Sequence, residues 1–223
     1  MVIFGRPGSG KSSLAERLSD DYGYSLVRTG ELLRAAIRKQ DFLGKRVQEH
    51  LNRGDLVPDL LIFELLEKTL TNPGVKRLLF DGFPRTIGQV PLLEAFEKKL
   101  DFRIGAYLDI AVSRIEAVRR MTGRRVCPKC GATYHLINRP PLKAETCNHD
   151  GTHLERRKDD AHDVVEFRQK TFDVHAKPIL DHYRATAPER FFHINGEQSF
   201  DAVYAETVRA LHLEAKDHSA RDA

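Results

Sequence analysis

The chain has 223 residues, of which 41% are hydrophobic and 30% charged, with a formal net charge of +4. That balance supports a buried core and excludes a collagen-like or disordered chain, and no apolar run approaches the ~20 residues that span a bilayer. The cations are 23 arginines and 13 lysines. Planar guanidinium forks suit phosphate oxygens, whereas a net +4 does not by itself demand nucleic acid.

In chain order, residues 2–4 read as a short buried strand ended by Gly5. Arg6 follows too soon for a secretory signal peptide, so a soluble, cytosolic protein without a membrane or nucleic-acid partner is expected. A helical pattern runs from 11 to 22 with Leu14 and Leu18 four residues apart, then Leu26-Val27 suggests a second strand. Thr29 is expected to cap the next helix. Residues 42–53 and 59–70 are helix-like and are separated by Gly54 and Pro58. A third strand at 78–80 ends at Asp81-Gly82. Helix 89–99, strand 104–109 and helix 112–122 follow. Between 123 and 160 helical periodicity gives way to Cys, Pro, Gly, Thr and His. A long helix at 161–185, a strand at 191–194 and a helix at 200–214 complete the pattern, with a frayed tail expected from Ala215.

Strands alternating with helices imply an α/β fold, a doubly wound parallel sheet with helices on both faces. The 123–160 stretch is too long for an ordinary connection and implies a small inserted domain with its own means of stabilisation.

Gly5-Arg6-Pro7-Gly8-Ser9-Gly10-Lys11-Ser12 fits the G-x-x-x-x-G-K-[ST] phosphate loop and sits between a predicted strand and a predicted helix. Gly8 and Gly10 let backbone N–H groups, including that of Ser9, turn toward phosphate oxygens. The helix beginning near Lys11 adds its N-terminal dipole, and the lysine ammonium reaches the outer phosphates. Ser12 and Ser13 offer hydroxyls near magnesium and phosphate. A nucleoside triphosphate site is expected, but such a loop alone does not separate a motor, a GTPase and a small-molecule kinase.

Downstream stand Thr29-Gly30-Glu31-Leu32-Leu33-Arg34, Asp81-Gly82-Phe83-Pro84-Arg85-Thr86 with Gln89, and Arg119-Arg120-Met121-Thr122-Gly123-Arg124-Arg125. Past the 123–160 stretch come Arg157-Lys158-Asp159-Asp160 and Arg168. On these motifs the sequence resembles the adenylate kinases over roughly residues 1–214. The resemblance implies reversible, magnesium-dependent phosphoryl transfer from ATP to AMP giving two ADP, in a monomer. It also implies a P-loop five-stranded parallel sheet as the core (1–28, 58–122 and 160–223), a helical AMP-binding insertion (29–57) and a small β-rich lid (123–159).

The same resemblance implies roles. Arg120, Arg124, Thr133, Tyr134 and Gln198 join the phosphate loop around ATP, Gln198 by its main chain. Thr29, Arg34, the main chain at Asp55, Leu56 and Val57, the Gly82-Phe83-Pro84 turn, Arg85 and Gln89 surround AMP. Arg157 and Arg168 converge on the transferring phosphoryl with Asp159 and Asp160 beside them, and Asp81 anchors magnesium through water. Lys11, Arg85, Arg124, Arg157 and Arg168 make up the catalytic set. The chemistry agrees, because phosphoryl transfer asks a protein mainly to position phosphates and neutralise their charge, and the acceptor phosphate is already a nucleophile. Arg119 and Arg125 read as structural cations. The pattern departs from the family at Ser12, where Gly is usual, at Arg6, where a small residue is usual and a bulky one threatens the approach to the loop, and at Gln198, where Lys is common.

Three cysteines, Cys127, Cys130 and Cys147, cluster without an export signal, which argues against a disulfide framework. Cys127-Pro-Lys-Cys130 and Cys147-Asn-His-Asp150 form two knuckles with zinc-ribbon spacing, Asp150 replacing the fourth cysteine. Resemblance to the zinc-bearing, long-lid adenylate kinases supports that ligand set, with His149 and His153 as alternative fourth ligands. Four protein ligands leave no open position, so the zinc is expected to be structural. Two other readings remain at this point: a related monophosphate kinase using GTP or accepting UMP or CMP, and a zinc-ribbon nucleic-acid-binding NTPase, which leaves Asp81-Gly82-Phe83-Pro84-Arg85-Thr86 unexplained.

Overall fold

Short apolar runs whose side chains alternate between two destinations build the central sheet. In β1 (Val2–Gly5), Val2 and Phe4 enter one hydrophobic cluster while Ile3 enters the other, the two-residue period of a strand buried on both faces. The computed structural model describes residues 1–39, 42–53, 57–70, 77–137, 139–157 and 160–214. Asp55, Leu56 and Asp159, to which the sequence assigns roles, and the tail from residue 215 lie outside the described residues.

β2 (Ser25–Arg28), β3 (Leu78–Asp81), β4 (Tyr107–Ala111) and a last strand at Phe191–Asn195 complete a five-stranded sheet, which is parallel throughout. Its order is β2, β3, β1, β4, then that last strand. α1 (Lys11–Tyr22) covers one face with Leu14, Ala15 and Leu18. The other face receives Leu33 of α2 (Thr29–Arg38), Val47 of α3 (Phe42–Arg53), Leu61, Ile62, Leu66 and Leu70 of α4 (Asp59–Leu70), and Leu93 and Phe96 of α5 (Val90–Lys99). α6 (Arg114–Thr122) leads to a separate two-stranded antiparallel sheet, β5 (Arg124–Val126) and β6 (Thr133–His135). The chain then re-enters the main body through the 25-residue α7 (His162–Thr186), whose Ile179 and Tyr183 join the second face, and ends in β7 (Phe191–Asn195) and α8 (Phe200–Ala210), whose Val203 and Val208 join the first.

Four boundaries differ from expectation, the first three with a local arrangement that accounts for them. Thr29 does not cap α2: Arg28 holds the cap position, and Thr29 is the first helical residue. β4 begins at Tyr107 and not at 104, because side chains satisfy the backbone of Ile104. Its N–H donates to Glu97 Oε1 at 2.6 Å and its carbonyl accepts from Arg190 Nη1 at 2.7 Å. α6 starts at Arg114, since Ser113 Oγ accepts from the Glu116 N–H and so caps it. α8 likewise stops at Ala210, short of the expected 214.

Candidate active site and metal cluster

The carboxyl ends of β1, β2, β3 and β4 open on one edge of the sheet, where ligands bind in parallel α/β folds. β1 runs into the phosphate loop there. Gly8 has φ +92, and a Cβ on it would stand 2.5 Å from the Ala117 carbonyl oxygen of α6, so only glycine fits. Gly10, at φ +88, turns the chain into α1, leaving the first N–H groups of that helix facing the loop. Lys11 folds back and donates from Nζ to the Arg6 carbonyl at 3.2 Å. Ser9 Oγ is buried with no partner among the described residues.

Charge converges on this loop from distant segments. Burial pushes the Lys11 ammonium down to about 8, Asp81 opposes the shift, and Arg85, Arg168 and Arg124 add to it. Four of the five predicted catalytic cations therefore share one electrostatic site. Asp81, at the end of β3, accepts from Ser12 Oγ at 2.5 Å, so the serine found where glycine is usual holds a carboxylate against the loop. Arg124 forks onto the fully buried Asp160, with Nε 2.8 Å from Oδ2, and Arg168 Nη1 lies 3.8 Å from the same carboxylate. Arg120 pairs with Glu116 at 2.7 Å and reaches the Ser9 carbonyl at 3.4 Å. Hydrogen bonds from Arg119 and then Arg120 draw the Glu116 carboxyl down to about 2. Arg119 is thus engaged with Glu116, and Arg125 donates to the Thr122 and Arg124 carbonyls.

On the other side of β3, the Gly82-Phe83-Pro84-Arg85 turn folds back on itself. Arg85 donates from Nε to the Gly82 carbonyl at 2.8 Å, and its N–H donates to Gln89 Oε1 at 2.7 Å. Gln89 Nε2 in turn donates to Asp59 Oδ1 at 2.6 Å. Thr29 Oγ1 is buried with no partner among the described residues. Arg34 lays its guanidinium against Gly30, where a Cβ would meet Nη1 at 3.4 Å. Phe83 and Val57 are core side chains, which leaves their main chains for any ligand contact.

Some side chains go elsewhere than the sequence suggested. The Arg6 side chain is engaged on its flank of the loop, donating to the Val112 carbonyl at 3.1 Å and, on α7, to Gln169 Oε1 at 3.4 Å, and pairing with Asp173 at 2.5 Å. Gln169, fully buried, donates to the Pro7 carbonyl at 2.9 Å and so ties α7 to the loop; nothing in the linear pattern marks it. Tyr134 is buried in the small sheet, its hydroxyl 3.4 Å from Cys147 Sγ and accepting from the Asn148 N–H at 2.8 Å. Only its main chain remains for a nucleotide. Thr133 beside it is exposed. Gln198 Nε2 donates to the Asn195 carbonyl at 3.1 Å and to Glu206.

Cys127, Cys130, Cys147 and Asp150 place one donor atom each within 4.8 Å of one another. Cys130 and Cys147 Sγ are 3.6 Å apart, and Asp150 lies 3.5 Å from Cys127 Sγ. Arms of about 2.3 Å to a tetrahedral ion require sulfur–sulfur edges of about 3.8 Å, so the donor set and its spacing fit zinc. Each knuckle closes with the same bond, Gly131 N–H to the Cys127 carbonyl and Gly151 N–H to the Cys147 carbonyl, both 3.0 Å. His149 and His153 are exposed and stand outside the cluster.

A parallel sheet with a glycine-bounded phosphate loop at its carboxyl edge, ringed by arginines from four other segments, defines a P-loop phosphotransferase. The sequence model of the family described as adenylate kinase matches residues 3–187, and the chain belongs to that family. Similar proteins named adenylate kinase include one from Pyrococcus furiosus, 38% identical over 211 residues (95% of this chain and 94% of that protein). Another, from Archaeoglobus fulgidus, is 34% identical over 212 residues (95% and 97%), and one from a Geobacillus strain is 37% identical over 212 residues (95% and 97%). The reaction is phosphoryl transfer from ATP to AMP, with ATP, AMP and ADP as its nucleotides. Magnesium accompanies the nucleotide in this family, and no helix among the described residues is long and apolar enough to cross a membrane.

Proposed function

We propose that the chain's own residues divide that reaction as follows. The phosphate loop (Gly8, Ser9, Gly10, Ser13) and Lys11 hold the ATP phosphates, with Arg120 and Arg124 over them and the main chain near Thr133 and Gln198 along the nucleoside. Thr29, Arg34, Gly82, Pro84, Arg85 and Gln89 hold AMP, the main chain at 55–57 lying beside it. Lys11, Arg85, Arg124, Arg157 and Arg168 neutralise the phosphoryl oxygens, while Asp160 keeps Arg124 and Arg168 from turning to solvent. The observation that carries this reading is the convergence of Arg85, Arg124 and Arg168 on Lys11, whose ammonium is held below its ordinary value first by burial and then by these three guanidinium groups, with Asp81 opposing: so many cations brought together around one loop call for a multiply charged anion.

Ser12 and Asp81 supply hard oxygens suited to magnesium, which when bound neutralises phosphate charge. Zinc at Cys127, Cys130, Cys147 and Asp150 has a structural part, and residues 123–159 act as a lid over ATP, residues 29–57 as the AMP-binding insertion, on a monomeric cytosolic enzyme. The test is Arg85→Ala. It should raise the KM for AMP by the ~2–5 kcal/mol typical of a desolvated phosphate contact, with ATP binding nearly unchanged. An unchanged KM for AMP with normal turnover would remove Arg85 from the acceptor site.

A further inference from the structure

The side-chain amide of Gln89 is held in one orientation by two groups of opposite character. The Arg85 N–H can only donate, and it meets Oε1 at 2.7 Å. The Asp59 carboxylate, at the first position of α4, accepts from Nε2 at 2.6 Å. A 180° flip of the amide would set Nε2 against an N–H and Oε1 against a carboxylate, two repulsive contacts in place of two hydrogen bonds, and Gln89 is buried, so water cannot repair them. The orientation is thereby imposed by its neighbours.

We propose that Asp59 is a specificity-positioning residue, which locks the Gln89 amide so that it accepts AMP and rejects 6-oxopurine monophosphates. The proposal rests on the reading of Gln89 as the residue that meets the acceptor base. After its two locking bonds the amide keeps one lone pair on Oε1 and one N–H on Nε2. Adenine offers an amino donor at position 6 beside an acceptor ring nitrogen, which is the complement of that pair. A 6-oxopurine carries an acceptor at position 6, which faces Oε1 lone pair to lone pair. Only the flipped amide would suit it, and Asp59 together with the Arg85 N–H forbids the flip. A site built this way discriminates through the polar group it leaves unpaired in the wrong complex.

Steady-state turnover of AMP against IMP tests this, IMP differing at position 6 without a bulky 2-amino group. Asp59→Asn keeps the shape of the side chain but can present either a carbonyl or an NH2 to Gln89, so it removes the Asp59 half of the lock and leaves only the Arg85 N–H to oppose the flip. The ratio of kcat/KM for AMP over IMP should fall by at least about tenfold, chiefly through the monophosphate KM. Asp59→Ser, which retains a polar helix start, should lower the ratio in the same direction if the Asn variant folds poorly. Equal losses on AMP and IMP in both variants would mean that Asp59 is merely structural and would overturn the proposal. Gln89→Ala separates the two layers of the argument. If it erases the discrimination while Asp59→Asn leaves it intact, the lock is wrong and the role of Gln89 stands. If it too leaves the discrimination intact, the base reading fails and takes the lock with it.

Discussion

The sheet body and the cysteine module are stabilised by different means. Every strand of the five-stranded sheet contributes to one or both of two hydrophobic clusters, which hold Phe80, Phe83, Phe96, Leu79 and Leu108 at 1% exposure or less. The module at 124–157 has a core of Cys127, Tyr134, Cys147 and Leu154, two of which are metal-ligand candidates. Its strands are three residues each, joined otherwise by single bridges such as Val126 to Glu155 and Thr146 to His153. Four apolar residues do not offset the conformational entropy of ordering such a segment, which is of order 1–2 kcal/mol per residue. The body folds on buried area; the module needs cross-linking through its side chains, and the four donors are its only concentrated means of it among the described residues.

Breaking the body should have the largest effect. Phe80→Ala removes a fully buried ring beneath Phe83 and Phe102. It should cost about 3–5 kcal/mol, seen as a lower denaturant midpoint with an unchanged slope.

Next comes the joint between the two regions. Asp160 is fully buried, takes the fork of Arg124 at the start of β5, and its carbonyl accepts from Arg156. Asp160→Asn should cost about 1.5–3 kcal/mol, the range for hydrogen bonds to charged groups, and should lower kcat more than ATP binding, because Arg124 and Arg168 both lose their anchor. A variant with wild-type kcat would detach this joint from catalysis.

The module alone should respond to its ligands. Outer-shell partners of a bound metal are typically worth 10–100-fold in affinity, so losing Asp150 itself should cost ~100-fold or more in zinc retention. His149→Ala should change nothing, and the reverse pattern would reassign the fourth ligand. In Cys147→Ser or chelated protein, proteolysis should quicken within 124–157 while the body's denaturant midpoint moves far less than in Phe80→Ala. A body that melts in step with the module would erase the contrast between them.

A last effect is one of pH and falls on the body. The Lys11 pKa is lowered to about 8 in the folded protein from 10.5, so its buried charge costs stability. That cost is full below pH 8 and fades as pH rises toward 10.5, so the nucleotide-free enzyme should gain stability across this window. If the ammonium holds ATP as proposed, ATP should bind about tenfold more weakly at pH 9 than at pH 7, one pH unit being 1.36 kcal/mol. Titration of binding by calorimetry, with proton uptake above pH 8, checks the sign.

What the amino-acid order determines here is what neighbouring residues can settle among themselves. The phosphate loop reads out because Gly8 and Gly10 lie next to Lys11 and between a β-type and a helical period. The cysteine knuckles read out because each is a four-residue turn, and the alternation of strand and helix makes the parallel sheet legible. Only the three-dimensional turn brings Asp150 into the cluster of donor atoms and leaves His149 exposed beside it. Other destinations depend on groups far away in the chain, and only the tertiary structure decided them. Arg6 is drawn to α7 because Gln169 and Asp173 offer it acceptors there. Ile104 is withdrawn from β4 by Glu97 and Arg190, and Tyr134 is drawn inward by Cys147 and the Asn148 N–H. Gln89 is oriented by a carboxylate thirty residues earlier. Backbone conformation follows from local sterics, whereas a long polar side chain goes wherever folding leaves a buried partner unsatisfied, and no local pattern records where that is.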